Sequence, residues 1–362
     1  MAPLEVPAGA TGVEIEDEQE AEPVKTAHSP KQPTEQQMED HRNDHTPYRS
    51  WCKWCVMARG RGDPHRSAHG SRVPRIGIDY FYITKGGVKT REELKMAEDE
   101  EVEKARESGD VVKCVLVRCF ESKVLFAHCI PRKGADENDY VAKLVAADIA
   151  WIGYSEMIIK ADNERALQSL VKRVIELVKL QSDAAKRVTT EQPARYESQS
   201  NGGTEVGVRN VRGLFRTLKL CLEDRIGKYV PPTHALVPWL LEHTCTVLNT
   251  RVRGEDGLTS WARVRGRAFN QSMLGFAEIV LYKLPSKGPK HDPDSNMGVR
   301  WGEGIFLGYH RSSNVYIVAT DDGITTSRSL KRRPLDNRWS GERLAALKAT
   351  PWSERETPEM KV

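Results

Sequence analysis

Three acidic residues stand at positions where an acid needs a structural or a chemical reason. Asp79 interrupts an apolar run from Ile76 to Ile83, Asp162 follows the run MIIK, and Glu205 lies in the first turn of a predicted helix. Each has a structural alternative, namely a Lys or Arg partner for Asp79, a helix N-cap for Asp162 and the helix dipole for Glu205. If they converge, their oxygens can hold two Mg²⁺ or Mn²⁺ ions, the arrangement that promotes phosphoryl transfer.

Basic residues follow Glu205 along the same predicted helix. Arg209, Arg212, Arg216 and Lys219 recur every three or four residues after it. This spacing places the acid and the four cations on one helix face, where they could bind a row of phosphates. The alternative is an ordinary solvated helix face with basic residues spaced by chance.

Cysteine and histidine residues near the N-terminus have the spacing of a zinc site. Two sets of four are possible: His41, His45, Cys52 and Cys55, or Cys52, Cys55, His65 and His69. Both contain a Cys-x-x-Cys pair, and in the first set the two histidines can share one helical face. The alternative is a reduced cysteine pair in a basic linker, and the sequence does not choose between the two sets.

The elements around the acids predict an α/β domain with a mixed five-stranded sheet. Short β-branched and aromatic runs predict strands at 75–84, 110–120, 123–131 and 155–162, with a fifth before Pro193, and helical spacing predicts helices at 138–153 and 164–180. Three consecutive strands followed by alternating helices and strands indicate a sheet of mixed direction. The acidic segment 85–110 is predicted to be a solvated insertion.

The second half of the chain is predicted to contain two long helices and a small all-β unit. A buried stripe of Val208, Val211, Phe215, Leu218 and Leu222 marks a helix over 203–226, and a second helix follows at 234–252. Predicted segments are a disordered acidic tail at 1–38, a zinc-type module at 39–72, a catalytic core at 73–255, a linker at 256–298, a small β-barrel at 299–340 and a tail at 341–362.

Charge and composition narrow the class of partner. The net charge is +4 although the first forty residues are acidic, so the remainder carries a larger positive excess that favours a polyanion or simply solubility. No run approaches the roughly 18 apolar residues of a membrane span, so no membrane partner is expected. The scattered odd number of cysteines, 7, does not suit a disulfide framework and is typical of an intracellular protein.

Several short motifs together resemble a known family. Asp79 is followed by Asp162-Asn163-Glu164, by Asn201-Gly202-Gly203-Thr204-Glu205, and later by Gly304-Ile305-Phe306-Leu307-Gly308-Tyr309 and Thr326-Ser327-Arg328. This order resembles the ribonuclease-H-like core of retroviral integrases, and most closely that of copia-type long-terminal-repeat retrotransposons. Glu164 stands where the family motif has glycine.

The resemblance implies a DNA integrase. Asp79, Asp162 and Glu205 would be the catalytic triad holding two Mg²⁺ or Mn²⁺ ions, and His41, His45, Cys52 and Cys55 are similar to the zinc module that precedes integrase cores. Its partners would be element-end DNA, target DNA and further copies of the chain. The run Lys331-Arg332-Arg333-Pro334 could be a nuclear import signal. Two alternatives share the fold, namely an inactive DNA-binding copy and a metal-dependent nuclease.

Overall fold

A single strand, β1, occupies the centre of the larger sheet and carries Asp79. The computed structural model describes residues 32–59, 73–96, 111–135, 138–181, 187–191, 202–285, 298–313 and 315–352. The described residues from Pro33 onward belong to one compact unit. Helix α1 begins at Glu35 with Thr34 as its N-cap, so the segment predicted as a disordered tail, 1–38, ends in ordered structure.

The helices and strands of the described residues alternate along the chain. The helices are α1 Glu35–Asp44, α2 Lys53–Arg59, α3 Arg91–Met96, α4 Tyr140–Ile152, α5 Arg165–Gln181, α6 Gly202–Ile226, α7 Leu236–Arg251, α8 Ser260–Arg265 and α9 Gly341–Ala345. The strands are β1 Arg75–Thr84, β2 Gly87–Thr90, β3 Val112–Cys119, β4 Leu125–Ile130, β5 Glu156–Ala161, β6 Arg187–Glu191, β7 Ile279–Lys283, β8 Trp301–Tyr309, β9 Tyr316–Thr320, β10 Gly323–Ser327 and β11 Leu330–Arg332. None of these helices is long and apolar enough to span a membrane.

The larger sheet is of mixed direction, as the sequence predicts. Its order is β4-β3-β1-β5-β6, with β1 antiparallel to β3 and parallel to β5. The prediction of a solvated insertion at 85–110 is wrong in part, because β2 pairs antiparallel with β1 as a sixth strand and buries Val88. A hairpin partner for β1 is favourable because it satisfies the strand's remaining backbone groups.

The two faces of β1 enter two hydrophobic cores. Ile78 and Tyr80 pack with residues of α4 and α5, whereas Phe81 and Ile83 pack with residues of α6 and α7. Successive side chains of a strand point to opposite faces, so Asp79 shares the face of Phe81. The apolar stripe predicted for α6 is confirmed, since all of its members are buried.

The second sheet is antiparallel and differs from the predicted barrel at 299–340. Its order is β10-β9-β8-β7-β11, and β10 and β11 form its two edges without pairing to each other among the described strands. Strand β7 lies within the segment predicted as a linker, 256–298, and pairs with β8 and β11. The short apolar run IVLYK forms β7. Its strand pattern is hard to recognise in the sequence because a Pro- and Lys-rich segment follows it.

A buried network of charged groups joins the two sheets. His128 of β4 contacts Asp148 of α4, Nε2 to Oδ2 at 3.0 Å, and Glu242 of α7, Nδ1 to Oε1 at 2.8 Å. Arg311, which follows β8, donates to the other oxygen of Asp148. Burial alone would lower the pKa of His128, but Asp148 and Glu242 outweigh it and raise that pKa.

The raised pKa of His128 predicts a loss of stability at alkaline pH. Its folded pKa exceeds the ordinary value of 6.5, so its contribution is complete below about pH 6.5 and disappears as pH rises through the folded value. We expect the free energy of unfolding to fall more between about pH 6 and about pH 8.5 in the wild type than in His128→Gln. Urea titrations of both proteins at both pH values measure the free energy of unfolding. An equal fall in that free energy in the wild type and in His128→Gln would contradict the prediction.

Candidate functional site

Four ligand-forming side chains meet at one buried point near the N-terminus. One ligand atom from each of His41, His45, Cys52 and Cys55 lies within 4.8 Å of all the others, and all four residues are buried. His41 is on α1 and His45 is its C-cap, while Cys52 precedes α2 and Cys55 lies in its first turn. The structure therefore brings together the first of the two quartets predicted from sequence.

The spacing of these atoms suits a tetrahedral metal ion. His41 Nε2 is 3.3 Å from Cys55 Sγ, and His45 Nδ1 is 3.5 Å from Cys52 Sγ and 3.8 Å from Cys55 Sγ. Zinc bonds of about 2.3 Å to sulfur and about 2.0 Å to nitrogen separate such ligands by about 3.6 Å. A buried His₂Cys₂ group with these spacings could bind zinc.

The protonation states of the quartet also suit a metal. Burial lowers the pKa of His45, which favours the neutral ring that ligates metal. Hydrogen bonds from Cys55 and the two histidines hold the pKa of the Cys52 thiol well below its usual range, although burial opposes them. The other predicted pair, His65 and His69, lies outside the described residues.

The module is attached to the rest of the fold by polar contacts. Arg251 of α7 donates to Asp44 with Nε to Oδ2 at 2.7 Å, and Arg332 of β11 donates to Asn43 with Nη2 to Oδ1 at 2.9 Å. Asp44 and Asn43 immediately precede His45. The turn that carries His45 is thus coupled to both α7 and the second sheet.

Asp79 lies in an acidic environment formed by the other two predicted residues. Ile78 pairs with Ala161 across parallel strands, so Asp79 and Asp162 each follow a paired residue. Burial is the main influence on Asp79, and together with the charges of Asp162, Glu164 and Glu205 it raises the pKa of Asp79 to about 7. The three predicted carboxylates are therefore electrostatically coupled.

The three carboxylates do not form a cluster tight enough to share one ion in this structure. Within the described ranges, the only group of three or more His, Cys, Asp or Glu side chains that could hold a metal ion is the His₂Cys₂ quartet.

Two glycines that are not among the predicted site residues bring the start of α6 against β1. A Cβ atom on Gly77 would lie 2.5 Å from Thr204 Oγ1, and one on Gly203 would lie 2.5 Å from a ring carbon of Phe120. Arg118 of β3 donates to the carbonyl oxygen of Gly203. The signal was present in a glycine inside a strand pattern, which often marks close backbone approach.

A lysine also enters the acidic site without having been predicted. Lys133 Nζ is 2.7 Å from Glu164 Oε1 and lies 4.8 Å from the ring centroid of Tyr80 and 5.1 Å from that of Tyr82. Glu164 thus forms an ion pair at the position where the resembling family has glycine. The lysine follows β4, and nothing in its local sequence indicates this contact.

The predicted basic face of α6 divides into exposed and engaged residues. Arg209 and Arg216 are exposed. Arg212 instead donates to Glu93 of α3, Nη1 to Oε1 at 2.8 Å. Lys219 Nζ lies 2.5 Å from Glu223 Oε1 on the same helix and 4.4 Å from the ring centroid of Tyr229.

The basic run predicted as an import signal is part of the second sheet. Arg332 forms an ion pair with Glu278, which is 0% exposed, and Arg333 forms one with Glu303. Lys331 and Arg332 both lie in β11. Two cations of the run therefore have partners within the fold.

Comparisons with known proteins find little similarity in sequence. No family model matches the chain, and no curated protein matches it. Among solved structures, a similar chain occurs in the cryo-EM structure of the simian T-cell lymphotropic virus intasome in complex with the PP2A regulatory subunit B56 gamma. That similarity has 13% identity and a TM-score of 0.31, and it covers 72% of this chain and 81% of that chain.

Proposed function

We propose that the chain is a retrotransposon-integrase-like polynucleotidyl transferase whose metal-binding carboxylates are Asp79, Asp162 and Glu205. The observation that carries this proposal is that Asp79 and Asp162 each follow a paired residue of adjacent parallel strands, and that burial, with smaller contributions from the charges of Asp162, Glu164 and Glu205, raises the pKa of Asp79 to about 7. A group of acids that destabilise one another is stabilised by a divalent cation. The order of motifs in the sequence supports the same assignment.

The site fits Mg²⁺ or Mn²⁺ because its ligands are carboxylates. Asp79 lies on β1, Asp162 directly follows the parallel strand β5, and Glu205 lies in the first turn of α6. Two bound divalent ions would stabilise the attacking and leaving oxygens of an in-line displacement at a phosphodiester. The absence of a side chain at Gly77 allows Thr204, the neighbour of Glu205, to approach β1, which supports a shared role for Glu205 and Asp79.

The same helix would guide the DNA backbone toward these acids. Arg209 and Arg216 are exposed on α6, one and three turns beyond Glu205. Arginine side chains bind phosphate oxygens with paired N–H donors. By the resemblance stated above, the reaction is trimming of element ends followed by attack of the new 3′-hydroxyl on target DNA, carried out by a multimer.

A strand-transfer assay tests the proposal. Wild type is supplied with Mn²⁺, labelled retrotransposon-end oligonucleotides and a supercoiled target, beside Glu205→Gln and Asp79→Asn. We expect joined product only in the wild type, with a loss of about a thousandfold or more in each variant. The matched control is Asp224→Asn, an exposed acid on the same helix, which is expected to join DNA normally.

The products and the DNA affinities separate the possible outcomes. Cleavage without joining by the wild type would favour a nuclease. Joining by Glu205→Gln at the wild-type rate would overturn the triad. DNA affinity is expected to survive in both variants, because neither substitution removes a cation.

The exposed arginines are expected to contribute more to DNA binding than their neighbours. Arg209→Ala and Arg216→Ala each remove a cation whose side chain is exposed, so each should reduce the slope of log affinity against log salt by about 1. Arg212→Ala and Lys219→Ala should reduce it by less, because these cations have partners within the protein. Fluorescence anisotropy with a duplex oligonucleotide over a salt series measures the four slopes, and equal slopes would contradict this.

A second candidate is a DNA-binding protein without catalytic turnover. The observation that favours it is that, among the described residues, the His₂Cys₂ side chains lie close enough together to hold a metal ion, whereas the three acids do not. Under this proposal the zinc module and α6 bind DNA. Wild type would then bind DNA without joining or cutting it in Mn²⁺.

We propose in addition that His41, His45, Cys52 and Cys55 hold a structural zinc ion. The donor set is a common one for closed zinc sites, and the interatomic distances fit it. A bound ion would crosslink α1 to α2 and so keep the basic segment around Arg49 and Lys53 ordered. We propose nuclear function as the consequence of acting on target DNA.

A further inference from the structure

A cavity lies between the two sheets, and its lining residues do not include the candidate acids or the His₂Cys₂ quartet. Its volume is about 430 Å³, within the size range of sites for small organic ligands. Four residues of one face of α7, Trp239, Glu242, His243 and Thr246, form one wall. Residues of α4 and of the β8–β9 connection complete it.

A buried polar side chain in this wall has no hydrogen-bonding partner among the described residues. His243 is 1% exposed, and neither of its ring nitrogens forms a hydrogen bond with the part of the chain that the structure describes. Aromatic rings surround it, with the Tyr309 ring stacked at 6.2 Å and the Phe276 ring at 5.3 Å between centroids. Burial lowers the pKa of His243 to about 3, so at neutral pH the ring offers one N–H donor and one acceptor.

An unpaired buried imidazole is costly, which makes its presence informative. A buried polar group that leaves water without gaining a partner destabilises the folded protein. An apolar residue of similar size would avoid this cost in a wall that is already aromatic. A ligand that supplies the missing hydrogen bond recovers the cost on binding.

Charged residues at the cavity favour an anion. Lys143 lines the cavity from the exposed side of α4, and its Nζ donates to the carbonyl oxygen of Asn138 at 3.0 Å. Arg311 lines it as well and lies over the Phe126 ring at 4.5 Å, but its charge is paired with Asp148, so Lys143 is the cation that would meet an anion. Glu242 is the one acid among the lining residues, and it contacts His128.

We propose that this cavity binds a small planar aromatic anion. Its ring would stack among Trp239, Tyr309 and Phe126, a polar atom of the ring system would hydrogen-bond His243, and its negative group would face Lys143. The aromatic walls supply most of the buried area, and the histidine and lysine set the orientation. This site is independent of the proposed DNA chemistry.

Two matched fluorescent probes test the proposal on the full chain. One is 8-anilinonaphthalene-1-sulfonate, and the other is its uncharged counterpart N-phenyl-1-naphthylamine, which carries the same secondary amine. We expect both to bind saturably at one site and to raise the thermal midpoint, because a ligand of the native state stabilises it. Binding that lowers the midpoint or fails to saturate would overturn the proposal.

Substitutions in α4 localise the binding. Ala147 lines the cavity on the exposed side of the helix, so Ala147→Trp should fill the entrance and abolish binding of both probes. Ala150 is exposed on the same helix and lies outside the cavity wall, so Ala150→Trp is the control and should bind normally. Equal affinities in the two variants would overturn the site assignment.

Two further variants test the chemistry of the ligand. Lys143→Gln should weaken the anionic probe about fivefold and leave the neutral probe unchanged. His243→Phe should weaken both probes about tenfold while the thermal midpoint stays at or above that of the wild type. An unchanged affinity of the sulfonate in Lys143→Gln would overturn the preference for an anion, and unchanged affinities in His243→Phe would overturn the role of the histidine.

Discussion

Replacing His41 with alanine is expected to abolish zinc binding, whereas replacing His69 leaves about one zinc ion per chain. The structure places His41 Nε2 3.3 Å from Cys55 Sγ, inside the buried His₂Cys₂ group. Three remaining ligands cannot close a structural tetrahedral site. Metal analysis of both purified variants measures the result, and loss of zinc from His69→Ala with retention in His41→Ala would assign the rival quartet.

Loss of the ion should unfold the module and spare the larger sheet. Binding of zinc to small structural sites supplies about 10–16 kcal/mol of apparent free energy, which in such modules is folding free energy. We expect His41→Ala, or the wild type with a chelator, to lose amide-exchange protection across α1 and α2. The contacts of Arg251 with Asp44 and of Arg332 with Asn43 should then weaken, because their partners lie in the same turn. Exchange measured by mass spectrometry tests this, with β1 as the internal reference, and full protection of α1 after chelation would contradict it.

Replacing Asp148 with asparagine is expected to destabilise the protein by about 3–5 kcal/mol. Asp148 is 0% exposed and binds the buried His128 and the part-buried Arg311, so the substitution removes the counterion of Arg311 and one of the two acids that contact His128. The network joins α4 to the second sheet through Arg311. Water therefore has little access to solvate the groups that lose the Asp148 charge. Urea unfolding near pH 6 measures the change.

An exposed ion pair provides the matched control for Asp148. Asp256 accepts two hydrogen bonds from Arg263, at 2.8 and 2.6 Å, and the Asp256 side chain is 47% exposed, in contrast to the fully buried Asp148. Asp256→Asn is expected to leave the urea midpoint unchanged, because water and salt screen exposed pairs. Equal shifts in Asp148→Asn and Asp256→Asn would show that burial does not govern these contacts.

The strands and helices of the larger sheet were largely readable from local patterns. β1 was predicted at 75–84 and extends over Arg75–Thr84, and the helix predicted at 203–226 is α6, Gly202–Ile226. Both have strong periodicity and long apolar stretches, so the local signal and the tertiary environment agree. β2 and β7 were not predicted, because each is short and becomes a strand only by pairing with β1 or β8.

The candidate sites show the same division. Residue types and spacing alone selected the acids, the basic face and two possible zinc quartets. The four zinc-type ligands come together only because α1 and α2 meet. That meeting depends on the turn between the two helices and not on the spacing of the ligands along the chain. The engagement of Arg212 by Glu93 likewise joins residues far apart in sequence, and helical spacing carries no information about it.

The sequence by itself determined which residue types are available for metal and phosphate chemistry, the mixed direction of the sheet and the buried face of α6, because each follows from local periodicity. Only the tertiary structure decided that His41 and His45 meet the cysteine pair, that β7 completes the second sheet and that His128, Asp148, Glu242 and Arg311 share one interior network. Those outcomes depend on contacts between segments distant in the chain, where burial strengthens electrostatic interactions that the linear order does not encode.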